Sequence, residues 1–231
     1  MNGYLDLKPV EQHLASFTAQ WRALREEVTT LNSGWVDHPD RHLTVGGWSI
    51  VPVRYFGADD RPASLSAPVL AELVQACPAV ITAAYMRLAP GVTLAEHQGN
   101  PIGVGRFHLG LVTPAEAWIE VGGDRRTWQP GEWLGFDDTT THAAGNDALT
   151  DRLVLSLDLE HPDVEVSRWA RPVRFASRTY YTSVRRFPQL EFLLGRLSPL
   201  STFLKFVHRK SQVAGRFCAD TLKSPRGRST R

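Results

Sequence analysis

Hydrophobic residues near the start of the chain recur at alternating spacings of four and three. The series consists of Val10, Leu14, Phe17, Trp21, Leu24, Val28 and Leu31. This spacing places all seven side chains on one face of a helix, and no Gly or Pro interrupts it. We predict an amphipathic helix that packs on the body of the protein, because so short a run does not indicate a coiled coil.

Two more elements are predicted before the middle of the chain. Residues 48–56 are rich in β-branched and aromatic side chains, which favours a strand. Pro52 within this run cannot donate to a sheet ladder, so we predict an edge strand. Residues 67–77, entered through Pro68, are predicted to form a short helix.

From residue 79 to residue 159 the chain consists of short apolar runs broken by Gly, Pro, Asn and Asp. Strands are predicted near 80–88, 103–113, 116–121, 132–136 and 152–159, with turns at Pro90-Gly91, Gly122-Gly123-Asp124 and Pro130-Gly131. Short strands at this spacing favour a mainly β fold, a sandwich or jelly roll, over a parallel α/β sheet.

Beyond this region the pattern becomes helical again, with breaks at Pro188 and Pro199. We predict a jelly-roll domain over residues 1–165, with its N-terminal helices packed outside the barrel. Residues 166–231 are predicted to form a basic, helical C-terminal extension, and its end, residues 224–231, is predicted to be disordered.

Composition predicts a soluble protein. The 231 residues are 42% hydrophobic and 22% charged, ordinary values for a globular chain. Cys77 and Cys218 lie far apart and form neither a disulfide framework nor a CxxC site, which favours a reducing compartment. The N-terminus lacks the pattern of a signal peptide, and the apolar stretch 192–207 is interrupted by two cations and Pro199. We expect a cytoplasmic location.

The net charge of +2 conceals a strong asymmetry. Residues 1–165 carry 11 Lys and Arg against 22 Asp and Glu, whereas residues 166–231 carry 15 against 2. A basic segment of this size either packs on the acidic body or binds an anionic partner. Its apolar residues make an anionic membrane surface one candidate, and no motif for specific nucleic-acid recognition accompanies the charge.

Two histidines are candidate metal ligands. His97 and His142 each follow a turn-prone segment at the edge of a predicted strand. Imidazoles from facing strands are what a jelly-roll iron site supplies, with open positions left for substrate and oxygen. Taken alone the pair is weak support, because a single histidine is usually a surface residue or a hydrogen-bonded core residue.

Arg152 and His108 add to this pattern. Arg152 begins an apolar strand, and a guanidinium that faces inward there requires an anion such as a carboxylate. From spacing alone, an outward-facing Arg152 is equally compatible with the sequence. His108, between Phe107 and Leu109, is compatible with a core residue bonded to the backbone or with a residue that binds a carboxylate.

Several motifs in order and spacing resemble the aspartyl/asparaginyl β-hydroxylase family over roughly residues 80–163. They are HQG at 97–99, RFHLGL at 106–111, WQPG at 128–131, FDDTTTH at 136–142 and an arginine ten residues past the second histidine. The resemblance implies a double-stranded β-helix, or jelly roll, and an oxygenase that depends on Fe(II), 2-oxoglutarate and O2.

The resemblance also implies roles for individual residues. His97 and His142 bind Fe(II), Arg152 binds the distal carboxylate of 2-oxoglutarate, and His108 and Arg106 lie near its metal-binding end. The carboxylate ligand common in related oxygenases is absent from this family, and Gly99 occupies its position. For Asp137 and Asp138 we predict a turn role, or one of orienting His142.

Two positions depart from the family pattern. Val104 stands where an arginine that holds an acidic substrate is usual, and Met86 stands where a serine helps to bind 2-oxoglutarate. Thr82 and Tyr85 are candidates to replace that serine. These departures affect the substrate assignment more than the chemistry.

Three functions therefore stay open. The first is hydroxylation of the β-carbon of an aspartyl or asparaginyl residue in a peptide, protein or small biosynthetic intermediate. The second is hydroxylation of a lipid acyl chain or a free amino acid. The third is a non-catalytic jelly-roll binding module, against which the joint presence of His97, His142 and Arg152 argues.

Overall fold

The structure is a computed structural model that describes residues 3–38, 40, 43–99, 103–166 and 170–186. Its helices are a 3-10 turn at Lys8–Val10, α1 Glu11–Ala19, α2 Trp21–Thr30, α3 Arg61–Ser66, α4 Pro68–Ala76 and α5 Ala170–Arg186. Its strands are β1 Val36–Asp37, β2 Trp48–Tyr55, β3 Ala58–Asp59, β4 Thr82–Leu88, β5 Val92–His97, β6 Gly105–Val112, β7 Ala117–Val121, β8 Asp124–Arg126, β9 Trp133–Asp137, β10 His142–Asn146 and β11 Arg152–Leu159. The predicted apolar stretch 192–207 and disordered end 224–231 lie outside the described residues.

Strands β1 to β11 form two antiparallel sheets that face each other. The large sheet has the order β1-β2-β4-β11-β6-β9, with β3 paired to β2, and the small sheet has the order β5-β10-β7-β8. From β4 onward the chain passes back and forth between the sheets, with β7 and β8 as a pair within the small sheet, and this is the winding of a double-stranded β-helix. The predicted mainly β jelly-roll fold is confirmed.

Alternation along the large sheet separates two hydrophobic cores. One face, with Tyr85, Phe107 and Leu155, packs against the N-terminal helices. The opposite face, with Met86 and Val154, looks across the barrel toward the small sheet. All eight residues of β11 are buried because this strand lies between β4 and β6 and is covered on both faces. We call the space between the two sheets the lumen.

The predicted N-terminal helix is two helices. The chain leaves helical geometry at Gln20, where φ is −104° and ψ is 13°, and α2 begins at the next residue. The predicted face still packs inward: Val10, Leu14, Phe17, Leu24 and Val28 are buried, whereas Trp21 and Leu31 are only partly buried. The break therefore divides the helix without exposing the apolar stripe.

The predicted edge position of β2 is wrong. Strand β4 pairs with one side of β2, and the two-residue strands β1 and β3 cover parts of the other side. Pro52 is tolerated because the β2–β4 register shifts between Pro52 and Arg54, where the ladder is already irregular.

The C-terminal helix α5 agrees with the helical pattern predicted there. The described residues up to Thr179 form one compact unit, and a second begins at Tyr180. The domain boundary at residue 165 stays a prediction. In the part of the chain that the structure describes, no helix is long and apolar enough to cross a membrane.

Glu27 joins the helical layer to the large sheet. Its carboxylate accepts hydrogen bonds from the backbone N–H groups of Val69 (2.6 Å) and Leu70 (3.2 Å) at the start of α4. It also accepts one from the hydroxyl of Tyr85 on β4, at 2.6 Å. The Glu27 side chain on α2 thus accepts hydrogen bonds from two N–H groups that the α4 helix leaves unpaired and from the buried hydroxyl of Tyr85.

We predict that Glu27→Ala destabilises the fold by about 2–3 kcal/mol, because it leaves a buried hydroxyl and two helix N–H groups without an acceptor. Urea unfolding followed by circular dichroism measures the change. Glu26→Ala is the matched control, since that neighbouring side chain is exposed. Equal stability of the two variants would contradict the role given to Glu27.

Candidate metal centre

His97 and His142 meet at one end of the small sheet. His97 ends β5 and His142 begins β10, and the two residues are direct partners in the antiparallel pairing. Their ring centroids are 4.1 Å apart. The pairing is irregular just beyond this point, between His142 and Ala144, as is common where strands present functional side chains.

Hydrogen bonds fix which ring nitrogen of each histidine remains available. The Nδ1 atom of His97 lies 2.7 Å from the Ala95 carbonyl oxygen, and that of His142 lies 2.8 Å from the Thr140 carbonyl oxygen. A carbonyl oxygen can only accept, so each Nδ1 carries the proton and each Nε2 keeps its lone pair. Burial also lowers the pKa of His142, which favours the neutral form that binds metals. The pair fits a metal ion of the kind implied by the family resemblance.

Asp138 occupies the space beside the two histidines. Its Oδ1 atom is 3.5 Å from His142 Nε2, and its carbonyl oxygen accepts a hydrogen bond from the Gly99 N–H at 2.7 Å. A Cβ atom at Gly99 would overlap the Asp138 carboxylate. Position 99 therefore has no room for a ligand side chain while Asp138 stays in place. Within the described ranges, no group of three or more His, Cys, Asp or Glu is arranged around a metal position.

Arg106 holds Asp138 in position. Its guanidinium donates to Asp138 at 2.6 Å and to Asp158 at 2.9 Å. Burial alone would lower the pKa of Arg106, but the two carboxylates outweigh it and raise the pKa above its ordinary value. Asp137 has the predicted turn role, since it accepts from the N–H and hydroxyl of Thr139. Direct contact of Arg106 with 2-oxoglutarate stays a prediction.

Arg152 points into the barrel, so the inward alternative of the sequence analysis is the observed one. The residue is 2% exposed, and its Nε atom has no hydrogen-bond partner within the described residues. The guanidinium carbon lies 4.7 Å from the centroid of the Trp128 ring. Burial lowers the pKa of Arg152 to about 10, so the side chain is still a cation at neutral pH. A buried cation of this kind requires an anion.

His108 lies in the lumen near Arg152. Its imidazole stacks on Trp128 at 6.0 Å between centroids and meets the edge of Phe136 at 5.2 Å. Both ring nitrogens are buried without a partner among the described residues. Burial lowers the pKa of His108 well below its ordinary value, and the charges of Arg152, Arg106 and His142 add to this effect. Unpaired nitrogens between Arg152 and the histidine pair fit a small dicarboxylate bound along the lumen.

Two aromatic residues of the site were not predicted. The Trp128 ring contacts both Arg152 and His108, and its buried Nε1–H has no partner in the described structure. Trp48 stacks on His38 at 3.4 Å. Burial lowers the pKa of His38 to about 4, with smaller effects from Asp40 and from groups of the site such as Arg106. The only sequence signal for Trp128 was its place in the WQPG motif at 128–131.

Met86 stands where the family has a serine, and the two candidates to take over the role of that serine, Thr82 and Tyr85, differ in orientation. Met86 faces the lumen, whereas Tyr85 faces the helices and donates its hydroxyl to Glu27. Tyr85 therefore cannot take that role, because adjacent strand residues point to opposite faces. Thr82 is the register partner of Asp158, at the Arg106 end of the sheet, and its buried hydroxyl has no partner within the described ranges.

Comparison with known proteins supplies the family context. The sequence profile of the family described as aspartyl/asparaginyl beta-hydroxylase matches residues 18–162. Human aspartyl/asparaginyl beta-hydroxylase is 28% identical over 172 residues, which cover 70% of this chain and 22% of the human protein. Human aspartate beta-hydroxylase domain-containing protein 2 is 41% identical over 80 residues, which cover 33% of this chain and 22% of that protein.

A bacterial relative is named for a different substrate. The ornithine lipid ester-linked acyl 2-hydroxylase of Rhizobium tropici is 33% identical over 118 residues, or 50% of this chain and 42% of the relative. The chain therefore spans about a fifth of the length of the two human relatives and less than half of the bacterial one.

We predict that His97→Ala and His142→Ala each lose tight metal binding, because a single imidazole cannot hold the ion. Titration of the metal-free protein with Co(II), followed by its visible absorption, measures binding. His13→Ala on α1 is the control histidine variant and should titrate like the unaltered protein. Normal Co(II) binding by both lumen variants would show that the ligand assignment is wrong.

Proposed function

We propose that this chain, which belongs to the aspartyl/asparaginyl β-hydroxylase family, is an Fe(II)- and 2-oxoglutarate-dependent dioxygenase that hydroxylates an unactivated C–H bond. The family relatives named above are hydroxylases. The single observation that carries the proposal is the buried cation of Arg152, which has no partner among the described residues and lies in the same lumen as a histidine pair whose Nδ1 atoms bond to backbone carbonyls.

Each residue of the site has a defined task in this proposal. His97 and His142 hold the metal through Nε2, and their Nδ1–H groups keep the rings oriented on backbone carbonyls. Asp138, held by Arg106, stays near the metal position without filling it. Arg152 binds the distal carboxylate of 2-oxoglutarate, and His108 lies beside its other end. When bound, Fe(II) would let O2 oxidise two compounds together: one oxygen atom would convert 2-oxoglutarate to succinate and CO2, and the other would convert the substrate C–H to C–OH.

A non-catalytic binding module is the competing function. Such a module needs no pair of oriented imidazoles and no buried cation in the same cavity, because each is costly to stability without a ligand. The retained combination of His97, His142 and Arg152 therefore favours an enzyme over a module.

The substrate we propose first is an aspartyl or asparaginyl side chain in a peptide, a protein or a small biosynthetic intermediate. The family membership and the names of the human relatives support this choice. Val104 weakens it, since this buried side chain offers no cation for an acidic group. A cytoplasmic location stays a prediction.

We predict that the protein with Fe(II), ascorbate and O2 converts 2-oxoglutarate to succinate when presented with an acidic peptide. Mass spectrometry should find 16 Da added to the peptide, which is the mass of one oxygen atom. Arg152→Ala should mainly raise the 2-oxoglutarate concentration required for half-maximal rate, whereas His97→Ala should abolish turnover. If the unaltered protein does not bind 2-oxoglutarate in a metal-dependent manner, the result would support the binding-module alternative.

A second candidate substrate is a lipid acyl chain at an anionic membrane surface. Its specific support is α5, which presents Arg171 and a Phe175 side chain that is 73% exposed. The helix is tied to the loop after His97, because Arg174 donates to the Gly103 carbonyl oxygen at 2.9 Å. A basic helix with an exposed aromatic residue suits an anionic interface. The Rhizobium tropici relative, named for a lipid acyl substrate, supports the same choice.

For this candidate we predict that the full chain sediments with vesicles containing phosphatidylglycerol and much less with pure phosphatidylcholine vesicles. The variant with both Arg171→Glu and Phe175→Glu should bind several-fold more weakly, and raised salt should weaken binding of the unaltered protein. Leu65→Glu, at another exposed apolar residue, is the control. Equal binding to both vesicle types would exclude an electrostatic membrane site.

A further inference from the structure

Ser156 lies in the lumen beside His108. It is the register partner of His108 on β6 and of Ala84 on β4, so the three side chains project from the same face of the large sheet. Side chains that are directly opposite across an antiparallel pair have Cβ atoms about 4.5–5.5 Å apart. Ser156 is 3% exposed. The residue therefore places a hydroxyl in the lumen next to an imidazole whose two buried nitrogens have no partner among the described residues.

The Ser156 hydroxyl makes no hydrogen bond to any residue that the structure describes. Some buried polar side chains of the barrel are paired within the protein, whereas Thr82, Trp128 and Arg152 each have a buried polar atom without a partner among the described residues. Asp158 accepts from Arg106, Asn146 donates to the carbonyls of Leu88 and Thr150, and Ser49 on the outer face accepts from Arg87. Because buried hydroxyls normally have partners, an unpaired one beside two unpaired imidazole nitrogens marks a place for a ligand with acceptor atoms.

The position of Ser156 along the barrel indicates which part of a ligand it would meet. The Arg106–Asp158 pair is the next inward-facing pair along β6 and β11 after Ser156–His108. It lies toward the metal end, because Arg106 contacts Asp138, and Asp138 lies beside His142. In the other direction, the Arg152 backbone is four residues from Ser156 along β11, or about 13 Å of strand. The Arg152 guanidinium lies 4.7 Å from the centroid of the Trp128 ring, which also stacks on His108. Ser156 is thus nearer to the histidine pair than the Arg152 backbone is.

We infer that the Ser156 hydroxyl, together with His108, donates a hydrogen bond to the metal-proximal 2-oxo-acid carboxylate of the co-substrate. The inference rests on the proposed function, since it assigns one more residue to the same site. A neutral imidazole has only one N–H to donate, whereas a carboxylate accepts several bonds. The hydroxyl supplies a second donor on the same side of the lumen without adding charge.

The test is calorimetric titration of the full chain loaded with Mn(II), without turnover, using two ligands. 2-Oxoglutarate carries both carboxylates, and 2-oxobutyrate carries only the 2-oxo-acid end. Ser156→Ala should weaken both ligands by about tenfold, the effect of one hydrogen bond to a charged group. Arg152→Ala should weaken 2-oxoglutarate far more than 2-oxobutyrate. Ser49→Ala removes a buried hydroxyl from the other face of the sheet and should leave both affinities unchanged.

Two results would overturn the inference while leaving the proposed function intact. In one, Ser156→Ala binds both ligands like the unaltered protein. In the other, it weakens 2-oxoglutarate alone, which would assign the hydroxyl to the distal end. Failure of the proposed function looks different, because the unaltered protein would then bind neither ligand in a metal-dependent manner. Because Ser156→Ala removes no protein hydrogen bond, an unchanged melting temperature verifies that the variant is folded.

Discussion

Charged side chains are paired at one end of the lumen, whereas a buried cation at the other end has no partner among the described residues. Near the histidine pair, Arg106 forms ion pairs with both Asp138 and Asp158. At the far end, Arg152 is buried without a carboxylate among the described residues, and the nitrogens of His108 and Trp128 nearby are unpaired. Proteins rarely leave such groups unsatisfied, because each costs about 1–3 kcal/mol, and more when it is charged. The arrangement becomes reasonable once an anion that also binds a metal occupies the lumen.

The opposite face of the same sheet offsets this cost. There the strands pack against α1, α2 and α4 through apolar side chains, and Glu27 satisfies both a strand hydroxyl and the start of a helix. The large sheet therefore has a well-packed outer face that stabilises the fold and an inner face that is free to carry destabilising polar groups. Functional sites commonly depart from local stability rules in this way, with stability supplied elsewhere in the structure.

Part of this site could be predicted from sequence. The motifs identified the histidine pair and Arg152, but spacing alone left the direction of Arg152 open, since only the register of β11 fixes which face it occupies. Strands β5 and β10 were not predicted. The His, Ala, Gly and Asn of β10 have little β preference, and pairing across the small sheet defines both strands. Ser156 gave no signal, because a serine within a buried apolar strand is indistinguishable from a small core residue. The orientation of Tyr85 was predictable from its being adjacent to the inward-facing Met86.

The unpaired cation can be tested directly by the stability of Arg152→Met, which keeps a side chain of similar length without the charge. Urea unfolding of this variant and of the unaltered protein would be compared with and without Mn(II) and 2-oxoglutarate. Without ligand the variant should be at least as stable, by roughly 1–3 kcal/mol if the buried charge is uncompensated. The ligands together should stabilise the unaltered protein more than the variant. A variant that is several kcal/mol less stable without ligand, and is stabilised by 2-oxoglutarate to the same extent, would show that Arg152 supports the fold and does not bind the co-substrate.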